Sequence, residues 1–239
     1  MVNGYVIGFL EILTWGLFSA GLRKRFVSLK EINCISYYWF MITILTFIWE
    51  YSYISNYDQI SDYAHNLILS KEHVWTNDYD LSYVLPWKLA RIFYAEYGAY
   101  ADREYMALNI DWSRTVEGSH LLFCGLFALF CLLLKQADNV KSFYITLGIS
   151  MGSQLMNSIL YMVEYYNQTL DQYNVNYDSS DFPTGFLYCK RPFMWVNIFW
   201  IVMPTYTIIY YLMEKKQIRY TRKSETDKFD NYDYKKLDP

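Results

Sequence analysis

The apolar runs constrain this chain most, and the purest of them, Leu121–Leu134, has no polar side chain over its whole length. A helix that crosses a bilayer needs about 20 mostly apolar residues. This run is too short to do so alone. Its helix must begin near Thr115 and carry Glu117 and His120 to membrane depth. Four further runs, at approximately 5–22, 33–54, 142–163 and 193–213, reach the required length. The expected fold class is an all-α membrane protein, a bundle of five transmembrane helices enclosing an intramembrane ligand cavity.

Three parts follow from this layout. Residues 1–32 hold the first transmembrane helix and a basic connector. Residues 33–213 hold a four-helix region with a long connector over 55–114, and 214–239 form a tail expected to be disordered. In the long connector, Tyr63–Leu69 and Trp87–Tyr97 have helical spacing but are short and amphipathic, as suits segments lying along an interface. Pro86 is placed to begin the second, because a first helical turn tolerates proline. No basic residue precedes the first run and Arg23, Lys24 and Arg25 follow it, which suits a retained anchor over a cleaved leader.

Basic residues set the orientation. Arg23, Lys24, Arg25 and Lys30 lie between runs one and two, Lys135 and Lys141 between three and four. Lys215, Lys216, Arg219, Arg222 and Lys223 follow run five. The connectors 55–114 and 165–192 lean acidic. By the positive-inside rule the amino terminus is expected outside and the carboxyl tail in the cytoplasm. An Asn167-Gln-Thr169 sequon falls on the outer side. A net charge of −3 carries no nucleic-acid signal. Cys34, Cys124, Cys131 and Cys189 show no paired spacing, so neither a disulfide framework nor a zinc site is expected.

Ionisable groups at membrane depth are costly unless they face a partner or a cavity, so each is a candidate functional residue. Glu50 ends run two, Glu117 and His120 open run three, and Asn197 and Trp200 lie in run five. Because successive helices alternate direction, Glu50, Glu117 and Asn197 fall within roughly 5 Å of one another in depth. Gln154, Asn157 and Tyr161 occupy the same half of run four, and Glu11 lies somewhat deeper in run one. Glu117 and His120, three apart, share a helix face. The plainer alternatives are a carboxylate at a helix start for Glu117, interhelical hydrogen bonding for Gln154 and Asn157, and packing for Trp200. A single Glu-x-x-His falls short of the two such motifs and four carboxylates that a di-iron bundle needs, so no metal is expected.

Taken in order, several stretches resemble the emopamil-binding protein family, the sterol Δ8–Δ7 isomerases and their EXPERA-domain relatives. They are Phe47-Ile-Trp-Glu50, Tyr100-Ala-Asp-Arg-Glu-Tyr105, Thr115-Val-Glu-Gly118, the Gln154…Leu160-Tyr161 pattern and Trp195-Val-Asn-Ile-Phe-Trp-Ile-Val-Met-Pro204. The resemblance covers roughly residues 33–213. It implies a five-helix bundle in the endoplasmic reticulum with a sterol cavity. The implied activity moves a ring double bond by protonating one alkene carbon and removing a proton from a neighbour. Glu50 and Glu117 fall on family acidic residues, and Asn197 and Trp200 on the family asparagine and cation-facing tryptophan. The family histidine one turn before the first glutamate is Thr46 here, and the threonine three after the second is His120. The connector before Asp102 is longer than the family's.

The expected catalytic group is Glu50, Glu117, His120, Asn197 and Trp200, with Thr46, Gln154, Asn157 and Tyr161 contacting substrate. Protonating an isolated alkene needs an acid in a dry pocket, and the carbocation needs negative charge and an aromatic face. No cofactor is required. The expected partners are a sterol and the lipid bilayer, with a second copy of the chain as a further candidate. The rival expectation is a non-catalytic sterol-binding or trafficking relative. A transporter would call for broken helices and inverted repeats that the sequence lacks.

Overall fold

The computed structural model describes residues 1–102, 112–167, 190 and 192–234. Helix α1 spans Gly4–Arg25, and its first turn is capped by the Asn3 side-chain oxygen, which accepts from the Tyr5 N–H at 3.0 Å. Position 4 has to be glycine, since a Cβ there would sit 2.5 Å from the Val74 carbonyl oxygen. That close approach ties the start of the chain to the long connector. The Gly4 N–H donates to the Asn77 carbonyl at 2.9 Å, and β1 (Val2–Asn3) pairs antiparallel with β2 (Asp78–Tyr79). This small sheet was not legible in the sequence.

Helix α2 spans Cys34–Ser55 and is capped by Asn33, whose oxygen accepts from the Ser36 N–H. The long connector then folds into two short helices, α3 (Tyr57–Ser70) and α4 (Pro86–Glu96). Helix α3 stops at Lys71, whose φ of 58° is the left-handed conformation common just past a helix end. Pro86 opens α4, as the sequence led us to expect, and one π-helical turn, Tyr97–Ala101, follows it. Both helices turn apolar residues inward, including Ile60, Ala64 and Leu67 from α3 and Leu89, Ala90 and Ile92 from α4. They cap one end of the bundle.

Helix α5 is continuous in three parts, Trp112–Ser119, a π-helical stretch His120–Leu126, and Phe127–Gln136. A tight connection leads to α6, Val140–Asn167, and α7 runs over Pro192–Tyr234. The expected disordered tail is corrected here, because the α7 backbone stays helical through Tyr234. The sequence after Met213 has neither glycine nor proline until Pro239 and is rich in Glu, Lys and Arg, residues that favour helix without needing a core. Residues 235–239, the Arg103–Tyr105 part of the family-like stretch, Cys189, and Gln168 and Thr169 of the sequon lie outside the described residues.

Among the described residues three helices are long and apolar enough to cross a membrane: Gly4–Arg25, Ser113–Gln136 and Met194–Lys215. Their outer faces display large apolar side chains, such as Phe9, Ile12 and Leu17 on α1 and Val196, Phe199 and Leu212 on α7. Such a surface is out of place in water and suits lipid. Helices α2 and α6 occupy the other two expected runs and fall outside that group.

Two apolar clusters hold the described residues together. One lies beneath the α3–α4 cap and includes Ile7, Tyr53, Leu67 and Tyr94. The other joins Phe40, Cys131, Phe143, Met151 and Tyr211 toward the basic end. At that basic end Lys135 Nζ bonds Glu31 at 2.7 Å, linking the α1–α2 and α5–α6 connections.

Candidate functional site

Helices α2 and α5 meet where a side chain has been left out. A Cβ on Gly125 would lie 2.4 Å from the Cβ of Phe47, so only glycine permits this approach. Phe47 and Gly125 lie about one turn from Glu50 and His120 respectively, and their contact brings those two groups together. His120 begins the π-helical stretch, whose wider turn changes the direction in which successive side chains project. Its Nδ1 lies 2.5 Å from Glu50 Oε1. Glu50 is 3% exposed and His120 8%. The second oxygen, Glu50 Oε2, is buried with no hydrogen-bond partner among the described residues.

The other imidazole nitrogen is set by a chain of constraints. An indole N–H can only donate, and Trp39 Nε1 donates to Gln154 Oε1 at 2.7 Å. This fixes the Gln154 amide, whose nitrogen then faces Thr43 Oγ1 at 3.4 Å and His120 Nε2 at 3.3 Å. An amide nitrogen can only donate, so His120 Nε2 accepts and the ring proton sits on Nδ1, directed at Glu50. Trp39, Thr43, Gln154, His120 and Glu50 therefore form one ordered polar line through apolar surroundings.

A cavity of about 700 Å³ opens beside this line. Of the residues singled out in the sequence, Thr46, Glu50, Glu117, His120, Asn157, Tyr161, Asn197 and Trp200 all line it. Gln154 does not; it is fully buried and acts on His120 from behind. The remaining wall is mostly apolar, with Ile12, Trp15, Met41, Ile42, Leu45 and Val196. Ile42 and Val196 are also exposed on the outer surface, so the cavity has a side facing the bundle's surroundings. The Trp200 ring stands perpendicular to His120 with centroids 5.5 Å apart, and it also meets the Trp39 ring at 4.9 Å. Thr46 bonds back to the Thr43 carbonyl, one turn before Glu50.

Glu11, the deeper acid of run one, is 1% exposed and stays outside the lining. Its Oε1 accepts from Trp49 Nε1 at 2.8 Å, and Trp49 forms part of the cavity wall. At the capped end a second polar line reaches the cavity. Tyr161 donates to Asp102 Oδ2 at 2.5 Å, and the Tyr97 and Tyr161 hydroxyls are 2.7 Å apart. These phenols account for part of the tyrosine excess, which composition alone left unexplained. Others satisfy the cap, as when the Tyr100 hydroxyl lies 2.8 Å from both the Leu67 and Glu72 carbonyls.

The sequence reading missed Trp39, Tyr97 and any role for Asp102. Trp39 could have been found, because 39, 43, 46 and 50 follow helical spacing along one face of α2. Tyr97 could not, since its reach depends on the π turn after α4. Among the described residues no cluster of His, Cys, Asp and Glu has the makings of a metal site. The arrangement can hold a rigid apolar molecule, exchange a proton between an imidazole and a carboxylate, and present an aromatic face to positive charge. A comparison of the chain with protein-family models, curated proteins and solved structures finds no match.

Proposed function

We propose that this chain is a membrane enzyme of the sterol Δ8–Δ7 isomerase type, which shifts a ring double bond by acid/base proton transfer through a carbocation. The observation that carries this reading is the Glu50–His120 pair buried in the wall of an apolar cavity, shared with Glu117 and overlooked by Trp200. The cavity volume falls in the range of small-molecule sites, about 300–1,000 Å³. In this reading Glu117, as a carboxylic acid, gives its proton to one alkene carbon. Positive charge develops on the adjacent ring carbon, where the Trp200 face and the Glu50 carboxylate stabilise it. Glu50 then removes a proton from the next carbon, which closes the new double bond. The proton taken by Glu50 must return to Glu117 before the next cycle. His120, bonded to Glu50 and one turn from Glu117, closes the cycle by turning its ring to give its Nδ1 proton to Glu117 and then taking, at the vacated nitrogen, the proton held by Glu50. Asn197 and Asn157 supply polar contacts in the same wall.

The histidine exchange fits this reading. Family members carry the imidazole on the helix of the first glutamate. Here it comes from α5, the opposite wall, and reaches the same carboxylate. The same reading places all five long helices across the endoplasmic-reticulum membrane, with a lumenal amino terminus and a cytoplasmic carboxyl terminus. Two observations support that layout: the chain start pairs with the long connector, and the basic connections sit together at the opposite end.

The direct test is purified protein in lipid, given a Δ8 sterol in deuterated water. The expected product is the Δ7 sterol carrying one deuterium at the newly protonated carbon. Binding without conversion of any Δ8 sterol would replace this reading with that of a sterol-binding relative. A carboxyl-terminal tag protected from protease in sealed microsomes would overturn the orientation.

A further inference from the structure

A relaying imidazole has two nitrogens, and what each one faces decides which of them exchanges protons. At His120 the two face different chemistry. Nδ1 meets Glu50 in the cavity wall. Nε2 meets the Gln154 amide nitrogen at 3.3 Å, and Gln154 stands outside the cavity lining. Two separate bonds orient that amide. Trp39 Nε1 donates to its oxygen at 2.7 Å. The Thr43 hydroxyl gives its proton to the Trp39 carbonyl at 2.9 Å, so it turns lone pairs toward the amide nitrogen at 3.4 Å. Trp39, Thr43 and Gln154 are all buried.

We infer that Trp39 and Gln154 are positioning residues that confine His120 to proton exchange at Nδ1 alone. The inference rests on the isomerase reading and deepens it by naming the atom that carries the returning proton. An amide N–H cannot accept, so a proton on Nε2 would confront a second donor. That excludes the arrangement in which Glu50 donates to Nδ1 and the imidazole keeps its proton on Nε2. The return step therefore uses one nitrogen twice. The Nδ1–H bond breaks as that proton passes to Glu117, and a new Nδ1–H bond forms with the proton that Glu50 took from the substrate. Glu117 regains what it gave, Glu50 is a carboxylate again, and the imidazole ends as it began. The two bond lengths suit these roles. The 2.7 Å bond from Trp39 pins the amide, whereas the 3.3 Å contact to Nε2 is long enough to release when the ring turns and to reseat it afterwards.

The test is nitrogen-15 NMR on the full chain in lipid nanodiscs, labelled at histidine. The chain has three histidines, so His120→Ala identifies the His120 signals by their loss. Wild type is expected to show the proton on Nδ1 and a lone pair on Nε2. Gln154→Leu frees Nε2, and a second form protonated there should appear. Trp39→Phe keeps an aromatic ring toward Trp200 but lets the amide turn over, with the same expected result. It leaves the Gln154 site filled and carries the test if Gln154→Leu does not fold. On a Δ8 sterol both variants should lower kcat about tenfold, the worth of one buried hydrogen bond, with KM within about twofold. A proton on Nε2 in wild type would overturn the inference, as would an unchanged tautomer or a wild-type kcat in either variant that folds. The NMR readout needs no turnover. A chain that holds the Nδ1 proton, loses that preference in the variants and converts no sterol sinks the isomerase reading and leaves the lock on Nδ1 standing.

Discussion

Glu11 and Glu50 are two buried acids in one bundle, and they differ in what holds them. Each has one oxygen bonded and the other buried without a hydrogen-bond partner among the described residues. Glu50 faces an imidazole, which can give and take a proton, and it lines the cavity. Glu11 faces the Trp49 indole, which can only donate, and it stands behind the wall. Burial of a carboxyl group is therefore no sign of chemistry by itself. The partner and the access decide: Glu50 has a proton-exchanging neighbour and room for a ligand, whereas Glu11 orients a tryptophan.

This contrast breaks most sharply at the acid/base pair. Glu50→Gln, Glu117→Gln and His120→Ala should each lower isomerisation about a hundredfold or more, the size of a lost general acid or base. Steady-state turnover on a Δ8 sterol checks this, and wild-type rates in any of the three would remove that residue from the mechanism. Glu11→Gln under the same assay is the control on the other side of the comparison. Moving the imidazole sharpens the point further. The double exchange Thr46→His with His120→Thr should recover part of the activity lost in His120→Thr alone, because a relay needs reach and not a particular helix of origin.

Next in size is the packing that brings the pair together. Gly125→Ala places a methyl against Phe47 and should cost about 1–3 kcal/mol, as overpacking does, read as a lower melting temperature in lipid. Gly148→Ala on α6, where an added Cβ meets nothing within 4 Å, should change stability far less. Equal effects at the two glycines would mean that the α2–α5 approach is soft.

A smaller effect is expected at the aromatic wall. Trp200→Ala should cut turnover about tenfold more than Trp200→Phe, with sterol binding changed less, if the ring stabilises a cation. Parallel losses of binding and turnover in both variants would reduce Trp200 to packing. The smallest effect belongs to Glu11. Glu11→Gln keeps an acceptor for Trp49 and should leave turnover within about threefold. Glu11→Leu leaves the indole N–H unpaired and should cost about 1–3 kcal/mol of stability. A large loss of turnover in Glu11→Gln would erase the distinction between the two acids.

Much of the layout was legible from residue order alone. Run lengths gave the long helices, Pro86 gave the start of α4, and the depth of Glu50, Glu117, Asn197 and Tyr161 along their runs anticipated one shared layer. These are one-dimensional quantities, set by rise per residue and by the cost of polar groups among apolar ones. The tail failed on the same logic, since polar composition was taken for disorder where helix-favouring residues continue α7 to Tyr234.

What one dimension could not supply was rotation and contact. Whether His120 turns toward Glu50 or toward lipid depends on the π-helical stretch that begins at that residue and on the missing side chain at Gly125. The tautomer of His120 depends on Trp39, which reaches it only through Gln154 from another helix. Glu11 and Glu50 look alike in sequence, each an acid in an apolar run, and only packing separates an indole partner from an imidazole one. Hydrogen-bond direction is a property of partners within about 3 Å, and those partners are assembled from residues up to 115 positions apart. Spacing along the chain determined which groups share a depth; the contacts among the helices determined which of them touch, and in which direction each proton points.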